Sequence, residues 1–84
     1  MDDKTFATRN IALASFLLAK GSPIPAITGQ RGSVTFIFDD PEGKLEWTEQ
    51  EFRADSPIPV QQFLWAQREI RAQLDRALGP RPRQ

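Results

Sequence analysis

A chain of 84 residues with 39% apolar and 26% charged side chains is expected to form one small globular domain and is not of disordered composition. It contains neither cysteine nor histidine, which excludes disulfides, thiolate chemistry, Cys/His zinc sites and Ser-His or Cys-His nucleophilic sets. The formal charge is zero, but the acids gather in the middle of the chain and the arginines towards its end.

The start, Met1-Asp2-Asp3-Lys4, is acidic and polar, unlike a secretory leader, and the chain is expected to be cytoplasmic. Lys4 to Ala7 suits a short strand. Thr8 is the expected N-cap of a helix running from about Arg9 to Lys20, stopped by Gly21 and Pro23. In this helix Ile11, Leu13, Ala14, Phe16, Leu17 and Leu18 sweep about 220° of the circumference. The remaining arc holds only Ala12, Ser15 and Ala19. Such a helix is buried on most sides, and its small stripe lets another backbone come close. The run from Ile11 to Ala19 is far short of the about 20 residues a membrane span needs.

Pro23 to Thr28 and Ser33 to Phe38 read as two strands of a hairpin, joined through a four-residue turn, Gly29-Gln30-Arg31-Gly32. Val34, Phe36 and Phe38 share one face, Thr35 and Ile37 the other. The prolines place the first strand at a sheet edge. Asp39 to Gly43 is a turn. Leu45 to Arg53 fits either a strand or a short helix, and a helix capped by Thr48 is the expectation. Pro59, near the first helical position, opens a last helix that ends at Gly79-Pro80. Val60, Phe63, Leu64, Ile70, Leu74, Ala77 and Leu78 form its apolar stripe. Trp65 lies off that stripe, beside Arg68, Ala72 and Arg76.

These elements define an α+β fold: helix, antiparallel hairpin, possible short helix and long C-terminal helix, with the helices on one face of the sheet. The single domain covers 1–84, with an ordered core of about 4–78 and a tail over 79–84. The expected core is Phe6, Ile11, Leu13, Leu17, Leu18, Ile27, Val34, Phe36, Phe38, Phe63, Ile70 and Leu74.

One series of residues carries a family resemblance. It comprises Phe6, Thr8, Asn10, Leu13, Ala14 and the run Phe16-Leu17-Leu18-Ala19-Lys20-Gly21, then Val34, Phe36 and Phe38, then Phe63 with Arg68 and Arg71. In this series the chain resembles a family of short bacterial and phage proteins known as a domain of unknown function. The likeness covers most of the chain, about residues 4–78, but not the middle, 44–57. That family usually has aspartate where Asn10 stands. The resemblance implies a helix, a hairpin and a long helix in one pair of layers, and it implies no activity.

Three candidate sites follow from the residues. Asp39, Asp40 and Glu42 come directly after a strand, where carboxylates can hold Mg²⁺. Adjacent strand residues point to opposite faces, so a solvated turn is the expectation, with no metal, no cofactor and no catalytic residues. Arg31 to Phe38 has the opening Arg-Gly and closing Phe of an RNA-recognition strand, but lacks rings at Ser33 and Thr35 on which bases would stack. Phe36 and Phe38 are therefore core. Trp65, Arg68, Ala72 and Arg76 make a small patch of the residue types that anchor protein interfaces, but Trp65 is first expected to pack on the segment around Trp47 and Phe52 or on the amino-terminal strand, and it becomes a partner anchor only if it does not.

The expected function is thus a non-enzymatic interaction or regulatory module with a protein partner or a second copy of itself. No small-molecule substrate and no membrane association are expected. The alternative is a weak nucleic-acid binder using Arg68, Arg71, Arg76 and Trp65, aided by Arg81 and Arg83. Lys20 and Asn10, both in the family-like series, have local explanations. Lys20 complements the helix dipole, and Asn10 accepts a nearby backbone hydrogen bond.

Overall fold

The computed structural model describes residues 4–30 and 32–79. In chain order the elements are β1 (Thr5–Thr8), α1 (Ile11–Ala19), β2 (Ala26–Gln30), β3 (Ser33–Asp39), α2 (Leu45–Arg53) and α3 (Val60–Leu78). The strands form one antiparallel sheet in the order β1-β3-β2, and the helices make a second layer on it. The fold is a small α+β domain, as the sequence pattern indicates.

The register decides which side chains face the helices. Phe6 pairs with Phe38 and Ile27 with Phe36, so these four stand on the core face. Ala7 and Ala26 both pair with Ile37, which places these three on the opposite face. β2 is an edge strand, but it begins after Pro23 and Pro25 rather than including them. The hairpin turn is also tighter than expected. Gln30 pairs with Ser33, which leaves a two-residue connection and puts Gly29 inside the strand. Gly29 has φ +100°, and a Cβ there would run into the Ser33 carbonyl oxygen. Only glycine permits that approach.

α1 is the centre of the molecule. Every residue from Leu13 to Ala19 is buried. Its N-cap is Asn10, not Thr8: the Asn10 side-chain oxygen accepts from the Ala12 and Leu13 N–H groups at 2.9 and 3.2 Å. Thr8 Oγ1 accepts from the Asn10 N–H one step earlier. At the other end the Gly21 N–H donates to the Leu18 carbonyl and the Ser22 N–H to the Leu17 carbonyl. These bonds make a Schellman cap with Gly21 at φ +108°. The hydroxyl of buried Ser15 donates to the Ile11 carbonyl, so no polar atom of that side chain is stranded.

The small arc of α1 faces α3. Gln62 Nε2 donates to the Ala19 carbonyl at 3.2 Å, satisfying an oxygen that the helix leaves open. Ala66 and Ile70, both fully buried, follow Gln62 at four-residue steps. The seam of α3 therefore runs through Ala66 and Ile70. The stripe expected from hydrophobicity shares Ile70 with this seam and keeps Phe63, Leu74 and Leu78 half-buried, but Val60, Leu64 and Ala77 are exposed and Ala66 lies outside it. Ile11, also expected in the core, is exposed at the start of α1. The other expected core residues are buried or half-buried.

Residues 45–53 are helical. α2 packs on α1 through Phe52, whose ring meets Phe16 edge-on at 5.4 Å between centroids. Thr48 lies inside this helix and does not cap it. Asp40 does so from the preceding turn: its carboxylate accepts from the Lys44 N–H at 2.8 Å and the Leu45 N–H at 3.3 Å. Pro59 is the N-cap of α3 rather than its first helical residue.

Candidate functional site

The carboxylates after β3 separate as strand geometry dictates. Asp39 is exposed, while Asp40 is buried and committed to the start of α2. Glu42 pairs with Lys44 at 3.1 Å. Among the described residues no three His, Cys, Asp or Glu side chains come together as a cation would require.

The outward face of α3 is different. Helical spacing sets Trp65 about 120° from the buried Ala66–Ile70 seam. Its side chain is 46% exposed, and it stacks on no other ring among the described residues. Arg68 and Arg76 are exposed on the same side, with half-buried Ala72 between them. Neither arginine has an ion pair or hydrogen bond to another described residue. Val60 at 68% exposure and Leu64 at 42% extend the apolar surface along the first half of the helix. The four residues expected to bind a partner thus share one side of α3.

Arg71 does not join them. It lines a separate open cleft of about 580 Å³ between the start of α1, β3 and the last turns of α3. Phe36, Val34 and Leu74 form the apolar part of this cleft, and Arg9 and Asp75 stand beside Arg71. Arg9 already donates to Ser33 Oγ at 3.2 Å. The nucleic-acid set of Arg68, Arg71, Arg76 and Trp65 is therefore divided between two surfaces. Arg31, Arg81 and Arg83 lie outside the described residues.

Lys20 and Asn10 both make local contacts. Lys20 sits over the Phe16 ring at 5.7 Å and faces Glu51 at 3.9 Å. Asn10 is the cap described above.

Trp47 is the site residue that the sequence reading did not single out. It is 71% exposed, on the side of α2 away from Leu45 and Phe52. The signal was present in the spacing: two and five residues from the inward pair, Trp47 falls on the opposite side of the helix. Among the described residues no helix is long and apolar enough to cross a membrane.

Comparison with protein-family models, with curated proteins and with solved structures gave no match. The family resemblance rests on the residues quoted for it.

Proposed function

We propose that this chain is a non-enzymatic interaction module that docks a protein partner through the outer side of α3, with self-association as its first form. The observation that carries this reading is Trp65, nearly half exposed on the side of α3 that also bears Arg68 and Arg76, neither of which pairs with an acid among the described residues. A large rigid ring flanked by guanidinium groups is the residue combination richest in binding energy at protein interfaces. The absence of histidine and cysteine from the sequence supports a binding role over catalysis. The absence of cysteine also suits a cytoplasmic setting, and the family-like series suits a bacterial or mobile-element origin.

Sedimentation velocity at micromolar concentration tests the self-associating form. The expected result is a mass above the monomer that Trp65→Ser reduces. A monomer unaffected by Trp65→Ser contradicts it.

The exposed guanidiniums of Arg68, Arg71 and Arg76, which make no ion pair among the described residues, favour one second reading, a weak single-strand binder. It predicts retardation of single-stranded DNA or RNA that weakens with salt and with Arg68→Ala and Arg76→Ala. No retardation at about 50 mM salt eliminates it.

A further inference from the structure

The two exposed tryptophans stand on opposite flanks of the helix layer. α2 lies on the β1 side, where Gly43 is beside the Lys4 side chain and the Asp40 N–H donates to the Lys4 carbonyl. α3 packs against β2, the other edge of the sheet. α1 lies between them, in contact with both.

The flanks differ in charge. Residues 39–55, which include α2, carry seven acids against Lys44 and Arg53. Around Trp47 the exposed side chains include Glu46, Gln50 and Glu51. Around Trp65 they include Arg68 and Arg76, neither paired with another described residue, with Glu69 half-buried. The Trp47 flank is thus acidic on balance, with Lys44 beside Glu46 and Glu51, and the Trp65 flank presents two arginines against the half-buried Glu69.

We propose that the chain associates head to tail, the acidic Trp47 flank of one copy seating on the basic Trp65 flank of the next. This rests on the reading of α3 as the docking surface and names what docks there. A symmetric pairing of two α3 flanks would bring Arg68 and Arg76 against their own counterparts, a like-charge arrangement. Pairing unlike flanks sets the arginines against Glu46 and Glu51 and gives each indole a guanidinium or a ring to pack on. The contacting patches are different and lie on opposite sides of the layer. The interface is therefore heterologous, and assembly continues beyond the dimer unless the rotation closes a ring.

Trp47→Ser and Trp65→Ser each remove one flank and leave the other, so mixing them is the test. By sedimentation velocity at low salt, the unmodified chain is expected to grow in mass with concentration, and each variant alone to stay monomeric. A one-to-one mixture is expected to form dimers and stop there, since only one intact pair of flanks remains. Added salt is expected to weaken both associations. Far-UV circular dichroism checks that the variants fold. If either does not, Arg76→Ala and Glu46→Ala form a second pair with the same expectation. A mixture that stays monomeric, or a Trp47→Ser chain that associates like the unmodified one, overturns the head-to-tail pairing. If Trp65→Ser still abolishes association in that case, the α3 surface stands with a different counterpart. If Trp65→Ser also changes nothing, or the unmodified chain is monomeric throughout, both the pairing and self-association through α3 fall.

Discussion

α1 and α3 pack against each other, yet they meet water in opposite ways. From Leu13 to Ala19 α1 shows solvent no residue at all, and even its serine is turned onto its own backbone. α3 is more than twice as long but buries fully only Ala66 and Ile70. Its first half leaves Val60, Leu64 and Trp65 in water. The side chains of α1 are explained by folding alone. Three large apolar side chains of α3 are explained by folding only in part, since each keeps 42% or more of its surface in water. Stability and binding should therefore respond to different residues.

The largest effects are expected where burial is complete. Phe36→Ala, under α1 on the core face of β3, should cost about 3–5 kcal/mol through the cavity it opens. For a chain whose whole stability is about 4–13 kcal/mol, that is close to unfolding. A urea melt that moves by less than about 1 kcal/mol would remove Phe36 from the core. Gly29→Ala comes next. A methyl group there meets backbone rather than a movable side chain, and the φ is unfavourable for alanine. A loss of about 1–3 kcal/mol is expected, read from the same melt. Asp40→Ala withdraws the carboxylate that holds the first N–H groups of α2 and should cost about 0.5–2 kcal/mol. Amide exchange should quicken in α2 before α1. At the small end, Trp65→Ser should change stability by no more than about 0.5 kcal/mol while it lowers association. A large fall in melting temperature for that variant would mean the indole serves the fold after all.

This contrast also explains what the sequence made legible. α1 could be read in detail because apolar residues circle most of it and Gly21 can only mark an end. The core face of β3 followed from the alternation of Val34, Phe36 and Phe38. On α3 the expected face is right at Phe63, Ile70 and Leu74 and wrong at one edge, since hydrophobicity favours Val60 and Leu64 over Ala66. The packing follows size instead: Ala12, Ser15 and Ala19 on α1 invite a close neighbour, and alanine is what a close neighbour must carry. α2 was read with the wrong cap because its true cap, Asp40, sits four residues before the Lys44 N–H it holds, outside the local cap pattern. The residues around Trp65 stand out once the tryptophan falls off the apolar stripe, but its exposure does not follow from the sequence, where packing on the segment around Trp47 and Phe52 is the first expectation. Trp47 was not singled out, because its segment had no settled secondary structure until Asp40 and Phe52 were seen to hold it as a helix.

The central claim is that the Trp65 side of α3 is a contact surface. The indoles of the unmodified chain are Trp47 and Trp65, and the quenching of their fluorescence by acrylamide can be followed across protein concentration. The account predicts accessible indoles in dilute solution that become protected as concentration rises. Quenching that is the same at every concentration would contradict it.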